Sequence, residues 1–247
     1  MLAVIALAVG ATVVIRQHTA RSQDGVDHAS TAAAGPGYSF MRTNPSGSPT
    51  RWNPCTPIHV RANLTEAPPN APADLGEALQ LVADATGLTF VDDGSTSVIP
   101  STHYGADATG RPKPVVIAWA TASETDGLQR TPVDAFGPHE LGRGGASARV
   151  DALTGHGVYV SGSVVIDADA SARLQPGFGP GGIGVLLLHE LGHLVGLGHV
   201  NDPTQIMNPV LQPTKSGEWG TGDLAGLARL GMTSGCLKVP SGRVTVL

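Results

Sequence analysis

The chain has 247 residues, of which 41% are hydrophobic and 14% charged, with a formal net charge of -5 at neutral pH. That is enough apolar material for one good-sized core, so one domain with a tail is the natural division. The negative balance and the lack of any Lys/Arg cluster exclude a nucleic-acid partner, because affinity for a phosphate backbone is built mainly from grouped cations.

Met1 to Ile15 form an unbroken apolar or small run that ends at Arg16. A signal-peptide core is about 7–15 residues long and a spanning helix needs about 20, so residues 1–16 are expected to be a signal peptide or membrane anchor. No basic residue precedes the run and no clean small-x-small cleavage site follows it, so both forms stay open; a buried core helix is the weaker alternative. Residues 17–50, rich in Ala, Ser, Thr, Gly and Pro, are expected to be a linker or short pro-region. Order is expected from Arg51, giving a domain over 51–247.

Within that domain the alternation Ile58-His59-Val60-Arg61-Ala62-Asn63 predicts a strand. Leu75, Ala78, Leu79 and Val82 recur at helical spacing between Pro72 and Thr86, and Gly87 stands where a C-terminal stop belongs. Strands are predicted at Leu88–Val91, Val115–Trp119 and Val158–Asp167, which makes an α/β or α+β domain with a mixed sheet. The run Leu141-Gly142-Arg143-Gly144-Gly145-Ala146 is too glycine-rich for a sheet interior and is expected to be an exposed rim or bulge. Cys55 and Cys236 are the two cysteines; in an exported protein they read as one disulfide closing a very long loop, against the alternatives of two buried thiols or a metal-blocking Cys55.

The segment that carries chemistry is His189-Glu190-Leu191-Gly192-His193-Leu194-Val195-Gly196-Leu197-Gly198-His199. Ile183 to Val195 predicts a largely buried helix on which His189 and His193, four residues apart, share one face. Both imidazoles can then reach one ion. A catalytic zinc site uses three protein ligands and keeps one coordination position for exchange. Gly196 can take a left-handed conformation, end the helix and let His199 swing back as the third ligand. Glu190, next to the first ligand, is placed to act as general base toward water activated by the metal. Satisfied core histidines are the competing reading, and a bare His-Glu-x-x-His would leave it far stronger.

This segment resembles the zinc-binding signature of the metzincins, and Ile206-Met207-Asn208-Pro209 resembles their Met-turn, which places Met207 beneath the zinc. The short spacing between His199 and Met207 is similar to the matrixin branch, as is the tail from Thr221 to Gly231, with Thr221 as N-cap. The resemblance implies an α+β, zincin-like metzincin fold: a twisted, mostly parallel mixed sheet packed on two long helices, with a Met-turn and a C-terminal helix. It also implies one catalytic zinc, a zinc endopeptidase activity toward extracellular proteins, and a monomer that is secreted or tethered through its N-terminus. By the same resemblance, Gly142 to Ala148 lead into the edge strand along which an extended peptide substrate adds. Val200 stands where matrixins usually have serine, and the His-rich segment of their second zinc is missing.

Asp167, Asp169, Asp151 and the Asp92-Asp93 pair could offer oxygens to calcium, although exposed turn carboxylates explain them more simply. A zincin taking Glu218 as third ligand is disfavoured because Glu218 lies in a Gly/Pro-containing loop. A non-catalytic zinc-binding module of the cell surface is the remaining rival, and an intact Glu190 counts against it, since structural zinc needs no such carboxylate.

Overall fold

The structure, a computed structural model, describes residues 13–14, 37–126, 128, 141–212 and 214–246. The apolar run at residues 1–12 and the segment 15–36, where the targeting element and most of the linker are expected, lie outside the described residues. Among those that are described, no helix is long and apolar enough to cross a membrane.

In chain order the elements are β1 (Val13–Val14), β2 (Ser39–Phe40), β3 (Arg51–Trp52), β4 (Ile58–Asn63), α1 (Ala71–Thr86), β5 (Phe90–Ser95), β6 (Val115–Ala120), β7 (Gly142–Val150), β8 (Gly157–Asp167), α2 (Ala168–Ser171), α3 (Ile183–Val195), β9 (Leu197–Gly198), β10 (Val210–Leu211), α4 (Thr221–Leu230) and β11 (Val244–Val246). A single 3-10 turn, Met232–Ser234, follows α4. Seven strands form one mixed sheet in the order β11-β7-β8-β6-β4-β5, with β3 also on β8. The pairs β4/β5, β4/β6, β6/β8 and β3/β8 are parallel, while β7 and β11 are antiparallel to their neighbours. This is the α+β, mostly parallel arrangement the sequence predicts, with α1 and α3 as its two long helices.

Burial explains which predictions succeed. β6 is buried at all six positions and reads as a continuous apolar run, as a strand covered on both faces should. Helix α1 turns Leu75, Ala78 and Val82 inward and stops at Gly87, whose φ of 70° is the left-handed conformation a side chain disfavours. β5 begins at Phe90, later than expected, and continues through Asp92-Asp93-Gly94, because parallel pairing to β4 holds a sequence of poor strand propensity.

Two expectations are corrected. The glycine-rich run is no exposed rim: it opens the nine-residue β7, which sits between β8 and β11. Glycine is required there because the strand presses onto α3; a Cβ on Gly144 would lie 2.0 Å from the carbonyl oxygen of Glu190. The packed unit also includes residues ahead of the expected boundary at Arg51. Tyr38, Phe40, Asn44 and Thr50 are buried, and β2 pairs with β9.

Cys55 and Cys236 form a disulfide across a sequence separation of 181 residues. Arg51 reinforces the junction by donating to the carbonyls of Ser234 and Gly235 at 2.7 and 2.8 Å. Leu237 N–H donates to Asn53 Oδ1 at 3.0 Å. Replacing both cysteines by serine should lower the unfolding free energy by about 2–5 kcal/mol. Denaturant titration of the oxidised parent against the double variant checks this, and coincident midpoints would contradict it.

Candidate metal centre

Every residue of α3 is buried, so its apolar side chains fix the helix while its two histidines share one face. The helix ends at Gly196, with φ 119°, whose N–H donates back to the carbonyls of Gly192 and His193. A Cβ there would meet Leu230 and Tyr159 at 3.1 Å. The chain then enters β9, and pairing with β2 fixes its course: Met41 N–H donates to Gly196 O at 2.9 Å, and Ser39 Oγ–H donates to His199 O at 2.7 Å. The result is convergence. The Nε2 atoms of His189 and His193 are 3.0 Å apart, and each lies 3.1 Å from Nε2 of His199.

The other ring nitrogens show what these atoms offer. Nδ1–H of His189 donates to Ile206 O and that of His193 to Leu197 O, both at 2.8 Å. A neutral imidazole that donates from Nδ1 carries an unprotonated lone pair at Nε2. Burial keeps all three rings neutral. It lowers the pKa of His189 to about 3, with a further contribution from His199; it lowers His193 well below the usual value, with contributions from both other rings; and it lowers His199 to about 4. Lone pairs this close repel one another until a cation sits among them. Zinc–nitrogen bonds of about 2.0–2.1 Å in a tetrahedron set ligand atoms about 3.3 Å apart, so the donor set fits such an ion within a few tenths of an ångström. Among the described residues this is the one group of three or more His, Cys, Asp or Glu side chains able to hold a metal.

Below the histidines the structure reveals a support that sequence patterning alone does not identify. The fully buried Asp223 accepts from the backbone N–H groups of Ile206 (2.6 Å), Met207 (3.3 Å) and Gly220 (3.0 Å). Its own N–H donates to Gln205 Oε1 at 2.9 Å. Desolvation raises the pKa of this carboxyl, and the three backbone donors oppose that shift. Asp223 therefore holds the turn whose Ile206 carbonyl orients His189. The N-cap of α4 is Gly220, with Thr221 as the first helical residue, which corrects the expected Thr221 cap. Met207 is buried, and a Cβ on Gly192 would fall 2.5 Å from its sulfur. That contact explains a glycine in mid-helix.

Glu190 is fully buried between α3 and the start of β7. A Cβ on Gly142 would lie 2.9 Å from its Cγ and 3.0 Å from Oε1, so the absence of a side chain at 142 leaves room for this carboxylate. Four of the five acidic residues considered for calcium have local partners. Asp167 caps α2 through Ala170 N–H, Asp151 accepts from Leu153 and Thr154, Asp92 accepts from Gly94, and Asp93 contacts His59 at 2.9 Å. Ser39 and Asp223 are the supporting residues that sequence reading missed. The one available signal for Asp223 was an acidic side chain in the first turn of the last helix.

The matrixin family, peptidase M10, matches residues 122–230, a span that includes β7, β8, α3, all three histidines, Met207 and α4. Across that span the chain is similar to the matrixins, and a zinc metallopeptidase family is the class that this likeness and the three-histidine group support. No curated protein matches the chain.

Two measurements test the packing and the electrostatics. Gly192→Ala should destabilise the fold by about 1–3 kcal/mol through its collision with Met207, although alanine is favoured by about 1 kcal/mol at an unconstrained helix position; an unchanged or higher denaturation midpoint would contradict the contact. The second concerns pH. The site histidines have depressed pKa values in the fold, so below the ordinary value of about 6.5 the unfolded chain takes up protons that the native site refuses. Stability of the metal-free chain should be fully present above about pH 6.5 and fall as pH drops toward the folded values near 4 and 3. Thermal melts in chelator between about pH 7.5 and 5 report this, and His→Ala at position 193 should flatten the slope.

Proposed function

We propose that this chain is a zinc-dependent endopeptidase that hydrolyses extended segments of extracellular proteins. In this reading His189, His193 and His199 hold the metal, Glu190 is the general base, and Met207 supports the ligands from below. The observation that carries the reading is the convergence of three imidazole Nε2 atoms within 3.1 Å of one another, two of them on the helix that also bears Glu190 and the third, from His199, brought back beyond its end.

Zinc bound there supplies Lewis acidity, lowering the pKa of water toward neutrality and polarising a scissile carbonyl. The chain's own residues do the rest. Glu190 takes the proton of the attacking water and passes it to the departing amine, a transfer that favours a carboxylate held in a fixed, desolvated position. His189 and His193 keep the required tautomer through Ile206 O and Leu197 O. The start of β7, against which Glu190 packs, lays out the substrate as an added strand, so that main-chain hydrogen bonds give affinity. Residues 1–16 serve as a signal peptide or tether, the domain acts as a monomer, and the disulfide suits an oxidising compartment.

Glu190→Ala should retain one zinc per chain by metal analysis and lose cleavage of an unfolded protein substrate by at least about 10²-fold. His193→Ala should lose zinc and cleavage together. Full activity in Glu190→Ala would overturn the mechanism. Zinc bound at full occupancy with no cleavage of any substrate by the parent would instead favour a non-catalytic zinc module.

A further inference from the structure

The antiparallel end of the sheet carries a feature the catalytic reading does not use. β7 starts beside Glu190, where Gly142 and Gly144 press on that residue, and runs away from it toward Val150. Its inner edge is paired along its length with β8. On its outer edge, the distal positions Ser147, Ala148 and Arg149 are paired with Val246, Thr245 and Val244 of β11. Because β11 is antiparallel, its chain runs toward Glu190, the direction an antiparallel peptide would take to bring a bond to the histidines. The residues on the amino side of that bond would lie along β7, and the farthest of them would need the positions β11 holds.

The strap is anchored at both ends. Its root is the Cys55–Cys236 bridge, with Arg51 donating to Ser234 and Gly235. Its tip lies in a packed corner: a Cβ on Gly105 would meet Ser147 Oγ at 2.6 Å and Val246 Cγ2 at 3.3 Å, and Ser147 Oγ–H donates to Tyr104 O at 3.0 Å. Antiparallel addition to this edge is thus already satisfied at the distal positions by the chain itself.

We propose that β11 is a built-in cap on the substrate edge, denying a substrate's amino side the β7 positions Ser147–Arg149. The proposal rests on the peptidase reading and adds a specificity rule to it. The gain from lengthening a peptide upstream of the cleaved bond ends where β11 begins. Only a segment that displaces β11 is read farther.

The test replaces residues 241–247 by a glycine–serine run, leaving Cys236 and its bridge intact. A second variant, Thr245→Pro, removes a strand N–H without changing length. Peptides with a fixed carboxyl side and an amino side lengthened from about two to about eight residues are then compared by kcat/KM. The parent should plateau at a shorter length than the replaced form, which should keep rising, by about tenfold over the longest peptides, through added main-chain pairing. Hydrogen exchange on the uncleaved protein supplies a readout independent of activity: amides at 147–149 should exchange faster in either variant, while those of 163–167 stay protected. Equal length dependence in parent and variants, with cleavage intact, overturns the cap alone. Unchanged exchange at 147–149 overturns it as well. Absence of cleavage by all forms, with zinc bound, defeats the peptidase reading and the cap with it.

Discussion

The centre of this molecule depends on an arrangement that is unfavourable by itself: three neutral imidazoles with their Nε2 atoms 3.0–3.1 Å apart in a buried setting, two of them, His189 and His193, holding an unshared pair there because Nδ1–H is already donated. Nothing among the rings can relieve the repulsion by protonation, because burial disfavours the imidazolium form of each. The rest of the fold therefore has to hold the rings against one another. A wholly buried helix holds two of them. The third depends on backbone bonds from a segment far away in sequence, Ser39 and Met41. Such a preorganised donor set binds a cation without first having to be assembled.

Close approach is the second constraint, and the glycines around the three histidines mark where it applies. Gly144 lets β7 touch the backbone of Glu190, Gly192 makes room for Met207, and Gly198 admits Ser39, whose Oγ would be 2.6 Å from an added Cβ. Each gives up side-chain contacts and backbone stiffness for proximity, and each lies beside Glu190, Met207 or the residue that braces His199. Glycine inside a helix or strand is otherwise a cost, so its position here follows from function-bearing contacts rather than from local preference.

This explains what could be read from the sequence. The three histidines, the helix that two of them share and its glycine stop were legible because they lie within one short segment, where helical period and the spacing of a zinc signature coincide. The core strands β6 and β8 were legible from apolar runs. What escaped depends on long-range contacts. The glycine run of β7 was misread because glycine's poor strand propensity hides the fact that pairing with β8 and pressure from α3 decide its conformation. Tyr38 to Met41 were misread because a polar, small-residue neighbourhood resembles a linker, and only β9, about 160 residues later, shows what they brace. Asp223 is a single carboxylate whose role is defined by three backbone donors on other turns.

The same distinction separates the ligands physically. His189 and His193 are fixed by α3, whose burial is independent of any metal, so their placement is part of the stability of the core. His199 is half-buried and leaves the helix by way of Gly196; its position is a property of β2, β9 and the turn that Asp223 holds. A cation that binds only the native state stabilises it in proportion to its affinity and concentration, and at this site that stabilisation reaches mainly the loop side. A metal held there would tie the chain after Gly196 to a helix that is already secure, and so join the edge elements around Tyr38, Met207 and α4 to the core. A cation held by all three rings would therefore stabilise the segment around the third histidine more than the helix that carries the other two.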